Sequence, residues 1–317
     1  MPRAVRLAAA AAVAGAGAIA YGGLIERNAF TVRRFTAPVL EPGTPPLRVL
    51  HISDLHLMPN QRRKRAWLRS LAELAPDLVV NTGDTLAHPR ALPTALRALE
   101  PLFAFPGAFV PGNNDYYGPK LKNPVRYFAH RRVRVRGARM PWPALAAALR
   151  EAGWTDLTDR RVTLLVRSGR ASASGGASVG VSEAQPARGD AVRVALAGTD
   201  DPHLHRARYE LIAGRGEPAA AVRIGVTHSP EPAILGGFAA DWYDLVLAGH
   251  THGGQVRVPF GPAVVTNCGI DVWRARGLHR WDDRMWFHVC AGAGTSPYAP
   301  VRIACRPEAA LLTLVPR

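Results

Sequence analysis

The chain has 317 residues, 48% of them hydrophobic, which is enough for one large domain or two small ones around a substantial core. A formal net charge of +16 suits an anionic partner: a phosphate-bearing substrate, an anionic lipid surface or nucleic acid. Cys268, Cys290 and Cys305 have no CxxC or zinc-ribbon spacing, so composition gives no support to a thiolate metal site or a disulfide framework.

Arg3 and Arg6 precede an apolar stretch from Leu7 to Ala20 that continues to Leu24. This is the layout of a secretory signal, with Ala18-Ile19-Ala20 as a small-x-small cleavage site, and equally of an uncleaved membrane anchor over residues 1–24. Either reading puts the catalytic part at the cytoplasmic membrane or outside it. Residues 25–46 read as a linker and lead-in with a proline-rich turn. Leu47 to Ile52 is an apolar strand ending in Ser53-Asp-Leu-His56. A basic helix follows from about Arg62 to Leu74. Leu78 to Thr82 is the next strand, ending in Gly83-Asp84. A helix near Leu92 to Leu102 leads to a third strand, Ala108 to Val110, which ends in Pro111-Gly-Asn-Asn-Asp115.

A helix is expected at Ala144 to Ala152, and Val162 to Val166 with Val192 to Leu196 as a strand pair. The Gly-, Ala- and Ser-rich stretch between that pair reads as a surface loop. Gly198-Thr-Asp-Asp-Pro-His203 closes the second strand, and a further helix is expected before the next. Ala221 to Val226 ends in Thr227-His228, and Asp244 to Ala248 ends in Gly249-His-Thr-His252. The last part, Val256 to Val315, holds several short strand-like runs.

Polar residues therefore collect at the C-terminal ends of apolar strands, where open α/β sheets place their sites. The set is Asp54, His56, Asp84, Asn113, His228, His250 and His252. Two carboxylates, four imidazoles and one amide oxygen suit manganese, iron or zinc. They suit neither an all-oxygen calcium site nor a thiolate one. One shared carboxylate can bridge two ions that clamp a phosphoryl group.

With these blocks in view, the chain resembles the calcineurin-like metallophosphoesterases. The match is carried by Asp54-Leu-His56, Gly83-Asp84, Gly112-Asn113, His228 and Gly249-His-Thr-His252, and spans about Leu47 to Ile303. The flanking residues look most like the bacterial membrane-associated branch, some members of which cleave the pyrophosphate of UDP-2,3-diacylglucosamine. The resemblance implies a four-layer α/β/β/α sandwich over residues 47–317. It also implies two divalent metal ions (Mn, Fe or Zn) and a phosphodiesterase or pyrophosphatase acting on a lipid-linked or nucleotide substrate. Asp54, His56 and His252 would hold one ion, Asn113, His228 and His250 the other, and Asp84 would bridge them.

One position departs from the family pattern. The third block usually reads Gly-Asn-His-Asp or Gly-Asn-His-Glu, and here it is Gly112-Asn-Asn-Asp115. Asn114 can donate a hydrogen bond but cannot transfer a proton, which favours substrates whose leaving group is already a weak base. His203 or His205 could supply the proton instead. The clusters Gln61-Arg-Arg-Lys-Arg65 and Arg131-Arg-Val-Arg-Val-Arg136 could face the site's mouth, hold polyphosphate or press the domain onto anionic lipid. Trp67, Tyr127 and Phe128 beside them read as interfacial or core aromatics. The expected partners are a phosphorylated small molecule or lipid and a membrane surface, with no protein partner. The alternatives are a nuclease of the same fold and a metal-bearing binding module. No added nucleic-acid module supports the nuclease.

Overall fold

A computed structural model describes residues 2–119, 137–169, 191–295 and 299–317. Helix α1 (Arg3–Leu24) is alanine-rich, so its side chains lose little entropy on becoming helical. At about 1.5 Å per residue its 22 residues match the thickness of a bilayer's hydrocarbon core. It is exposed along its length except at Gly22, which is buried, and Gly23, which is half-buried.

Among the described residues, the body has twelve strands in two sheets. The first sheet is built from β1 (Thr31–Leu40), β2 (Leu47–Ile52), β3 (Leu78–Asn81), β4 (Gly107–Phe109), β5 (Trp154–Asp156) and β12 (Glu308–Pro316). Their order is β1-β12-β2-β3-β4-β5, and β2 to β5 run parallel. The second is built from β6 (Arg160–Arg167), β7 (Ala191–Gly198), β8 (Val222–Val226), β9 (Leu245–Ala248), β10 (Gly277–Arg280) and β11 (Trp286–Val289). Its order is β10-β11-β9-β8-β7-β6, with β7, β8, β9 and β11 parallel and an antiparallel strand at each edge.

Strand periodicity explains the layering. Successive residues of a strand face opposite sides. In β2, Val49 faces the core between the sheets, with Leu78 of β3, Val194 of β7, Ile224 of β8 and Leu247 of β9. Its neighbour Leu50 faces the other way, toward Leu68 of α2 (Arg62–Ser70), Ala95 of α3 (Leu92–Leu99) and Leu145 of α5 (Trp142–Glu151). Outside the second sheet, Val246 and Phe287 pack on Leu235 and Phe238 of α6 (Pro232–Ala240). This gives the α/β/β/α sandwich that the family resemblance implies.

The local differences are instructive. Of the expected linker, Thr31–Leu40 is β1, which pairs in parallel with β12 from Thr31↔Glu308 onward. Its mixed Thr, Arg and Pro sequence reads as a loop, but an edge strand tolerates Pro38 and exposed arginines. The helix expected after His203 is only a three-residue 3₁₀ turn, Tyr209–Leu211. Helix α6 has no clear sequence signal; Pro232 at its start and two glycines inside it hide its pattern.

Candidate metal centre

The site forms where the strand ends of both sheets meet. β2, β3 and β4 deliver Asp54, His56, Asp84 and the short helix α4 (Asn113–Tyr116), while β8 and β9 deliver His228, His250 and His252. Each turn bends sharply. Asp54, His56, Asp84, His250 and His252 all have positive φ, between 41° and 67°. Left-handed backbone is costly for residues with a Cβ and persists only where surrounding structure imposes it. Here it turns consecutive polar side chains back toward one point. Gly249 and Gly112 allow the close approach: a Cβ would lie 2.5 Å from Asp54 Oδ2 at Gly249 and 2.3 Å from Asp84 Oδ1 at Gly112.

Two groups of donor atoms result, Asp54 with His56 and His252, and Asp54 with Asp84 and His228. His252 Nε2 lies 3.5 Å from Asp54 Oδ1 and 3.2 Å from His56 Nε2. Asp84 Oδ2 lies 3.4 Å from His56 Nε2 and 3.5 Å from His228 Nε2, so one carboxylate oxygen faces both halves. His250 Nδ1 is 3.2 Å from His228 Nε2. The outer atoms are fixed by neighbours. His228 Nδ1 donates to the Thr82 carbonyl at 2.8 Å and His252 Nδ1 to the Gly294 carbonyl at 3.2 Å, leaving each Nε2 lone pair pointing inward. Asp54 Oδ2 accepts from Ser53 Oγ at 2.6 Å and from the His250 N–H at 2.9 Å.

The donor set fits metal ions. Asp54 Oδ1, Asn113 Oδ1 and His250 Nε2 are buried with no hydrogen-bond partner, which is costly unless a cation satisfies them. Electrostatics points the same way. Burial disfavours a charged His228, yet Asp84, Asp54 and Asp201 outweigh it and hold the imidazole well above its ordinary range. Those carboxylates favour positive charge at that point, and a metal ion answers the same field. Burial also pushes Asp84 upward, but the His228 ring, then His56 and Asn114, bring its carboxyl below the usual range. His56 is pushed down to about 4, chiefly by burial, and stays neutral and able to ligate near pH 7.

Asn114 sits on the shared carboxylate. Its backbone N–H donates to Asp84 Oδ1 at 2.7 Å and its side-chain amide to Asp84 Oδ2 at 2.6 Å. The next residue, Asp115, accepts from the N–H groups of Gly112, Thr85 and Leu86, tying the second and third blocks together. His203 lies at the rim, its ring centroid 4.4 Å from that of His250. Its N–H and that of Leu204 donate to buried Asp201. His205 is exposed, and among the described residues its ring has no hydrogen-bond or ring partner.

Two supporting residues have roles that the sequence does not reveal. Arg302 is fully buried, and its guanidinium donates to the carbonyls of Ala291, Gly292, Gly294, Cys305 and His252 and to Cys305 Sγ. It thus fastens the turn that carries His252 to the Gly294 carbonyl that orients the ring. Lys64, in the first basic cluster, turns inward and donates to the Leu55 carbonyl at 2.8 Å, between Asp54 and His56. Burial, then Arg302 and Arg27, pushes it down to about 7. Its neighbours Arg62 and Arg63 are exposed, and Trp67 stacks on Phe30 at 4.9 Å. Arg131 to Arg136, with Tyr127 and Phe128, lie outside the described residues.

Comparison with known proteins gives the same grouping. Residues 47–254 match the family described as calcineurin-like phosphoesterase. The chain is 28% identical over 314 residues to the uncharacterized protein YpbG of Bacillus subtilis, covering 97% of this chain and 94% of that one. It is 32% identical over 116 residues to the phosphodiesterase YaeI of Escherichia coli, covering 33% of this chain and 39% of that one. Among solved structures, TT1561 of Thermus thermophilus aligns over 78% of this chain and 91% of that one, at 12% identity and a TM-score of 0.41. The chain belongs to the calcineurin-like phosphoesterases and is a metal-dependent phosphohydrolase.

Proposed function

We propose that the protein hydrolyses a phosphodiester or pyrophosphate in a lipid-linked or nucleotide substrate, using two divalent ions. Asp54, His56 and His252 would hold one ion, and Asn113, His228 and His250 the other, with Asp84 between them. Bound there, the ions would supply a hydroxide nucleophile near neutral pH and would neutralise charge on the phosphoryl oxygens. The chain's own groups do the rest. The Thr82 and Gly294 carbonyls fix the tautomers of His228 and His252. Asp54 Oδ2 is held by Ser53 and by the His250 N–H, which leaves Oδ1 free to ligate.

The observation that carries the substrate reading is Asn114. Its amide donates to Asp84 Oδ2 at 2.6 Å and has no proton to release. A leaving group that is already a weak base, such as a nucleotide phosphate, departs without acid help, whereas an alkoxide does not. His203, beside His250, is our candidate for protonating poorer leaving groups.

The test strips the full chain of metal, restores manganese, zinc or iron, and compares a phosphomonoester, an alkyl diester and a UDP-linked pyrophosphate. The pyrophosphate should turn over fastest. Asn114→His should raise alkyl-diester turnover about tenfold relative to the pyrophosphate, a small part of the roughly 10²–10⁴ that general acids supply. An unchanged ratio would remove the leaving-group argument.

A further inference from the structure

Just beyond His252 the chain forms a tight hairpin whose tip is built against the usual rules. Arg257 and Ala263 bridge antiparallel, the Val258 N–H donates to the Pro262 carbonyl, and the Gly261 N–H to the Val258 carbonyl. Buried Arg257 braces the loop, donating to the Gly253 and Gly261 carbonyls at 3.0 and 2.9 Å. Phe260 is third in the turn Val258-Pro259-Phe260-Gly261, with φ 59°. A positive φ at that position ordinarily selects Gly or Asn, and a bulky side chain there is an outlier. Phe260 is also fully exposed, at 108%. Val258, Val264 and Trp273 nearby are exposed at 53%, 48% and 62%, and the Ala263 N–H donates to the Val272 carbonyl, which brings Trp273 alongside the hairpin. The chain therefore accepts backbone strain to display an aromatic ring in a cluster of exposed apolar side chains.

The neighbours of this hairpin indicate what covers it. Val256 pairs with Ile303, and the segment through Arg302 docks on the C-terminal end of α1, where the Arg302 N–H donates to the Gly22 carbonyl. A Cβ at Gly22 would meet Val301 and Ile303 side chains at 2.9 and 3.0 Å, so α1 and this segment are in close contact. Adjacent extended segments lie about 5 Å apart, so the hairpin base is within roughly 10–15 Å of the end of α1. The most apolar 18-residue stretch of the helix has mean hydropathy 1.7 and is only 6% buried, with Leu7, Val13, Ile19 and Leu24 exposed. A bilayer is the environment that takes such a helix whole, and its surface then falls near Leu24, at the level of the hairpin.

We propose that the 257–263 hairpin, with Phe260 at its tip and Trp273 beside it, inserts into the lipid interface at the foot of α1. This holds the metal centre against the bilayer, where phosphoesters of lipid headgroups reach it. The insertion rests on the geometry alone. The lipid-headgroup substrate rests on the proposed function, and the two are separated by experiment.

The native cysteines Cys268, Cys290 and Cys305 are all buried, so a cysteine introduced at the tip can be labelled selectively. Phe260→Cys in the full chain, carrying an environment-sensitive fluorophore, is reconstituted in phosphatidylcholine–phosphatidylglycerol vesicles. Emission should shift to the blue, resist aqueous iodide and be quenched by nitroxide lipids. The same label at exposed Glu217 (Glu217→Cys) should remain open to iodide. Equal iodide quenching at both positions overturns the insertion. Protection that disappears on diluting protein at constant lipid also overturns it, because a second copy then covers the tip. Separately, Phe260→Gly relieves the strained turn and should leave hydrolysis of a soluble aryl diester within about twofold. Turnover of headgroup diesters presented in vesicles should fall about tenfold. Undiminished vesicle turnover removes the substrate claim and leaves the fluorescence result to decide insertion.

Discussion

Two sets of buried histidines stand a few residues apart in this protein and behave oppositely. His51 lies inside β2, five residues before His56. It faces His288 of β11 across the two sheets, Nδ1 to Nδ1 at 2.9 Å, and Thr82 Oγ1 at 3.0 Å. No carboxylate appears among the influences on either ring, and burial pushes His51 down to about 3 and His288 well below its ordinary range. The pair is a neutral polar clasp between the sheets. At the strand ends, His56, His228 and His250 are also buried and His252 partly so, but these four gather around Asp54 and Asp84. Imidazole burial alone therefore says nothing about metal. The adjacent carboxylates, and the oxygen atoms left without partners, make the difference.

The largest effect expected from this contrast is at the shared carboxylate. Asp84→Asn should lower metal-restored turnover by at least about 10²–10³-fold, the scale of losing one preorganised electrostatic contact, with reduced metal content by elemental analysis. The double variant His51→Leu/His288→Leu should leave both unchanged. If it removes metal too, the two sets are not distinct.

Next comes Arg302, which links the His252 turn to the core. Arg302→Met leaves several buried carbonyls without donors, at about 1–3 kcal/mol each. A loss of roughly 3 kcal/mol by chemical denaturation is expected, together with about 10–100-fold weaker metal binding, as when a support of a metal ligand is removed. A stability loss with unchanged metal affinity would confine Arg302 to the fold.

The last effect concerns pH. An unfolded histidine titrates near 6.5, whereas His51 and His288 resist protonation in the fold. Below about pH 6.5 the unfolded chain therefore binds more protons, and stability falls as pH drops toward the folded value, which is about 3 for His51. Each such histidine contributes a slope of up to about 1.4 kcal/mol per pH unit in that window. Unfolding midpoints at pH 7 and pH 5, with and without the double His→Leu change, should show a shallower acid limb in the variant. An unchanged limb would assign the acid sensitivity to the metal-site histidines instead.

Much of the fold is legible in the sequence because its signals are local. The strands leading to Asp54, Asp84, Asn113, His228 and His250 are short apolar runs ending in polar turns, three of which place a glycine directly before the donor, and their alternation specifies two buried faces. Strand β1 reads as a lead-in because an edge strand next to β12 needs little hydrophobicity of its own. α6 escapes a sequence reading because its two glycines contradict helical propensity, and packing of Leu235 and Phe238 on the second sheet overrides them. Arg302, in Pro300-Val-Arg-Ile-Ala-Cys305, carries no motif. Its role exists only because carbonyls from separate turns of the chain converge on it.

The sequence by itself determined the kind of chemistry: which donor atoms are present, in what order, and that each follows a strand. Donor identity and strand propensity are properties of neighbouring residues, so they survive without coordinates. Tertiary structure decided that Asp84 Oδ2 faces both His56 and His228, that Asn114 caps that carboxylate, and that Phe260 stands exposed near the end of α1. Those relations join residues as far apart as His56 and His252, 196 positions along the chain. Only the packing of one sheet against the other, driven by burial of the apolar faces between them, brings such residues within reach.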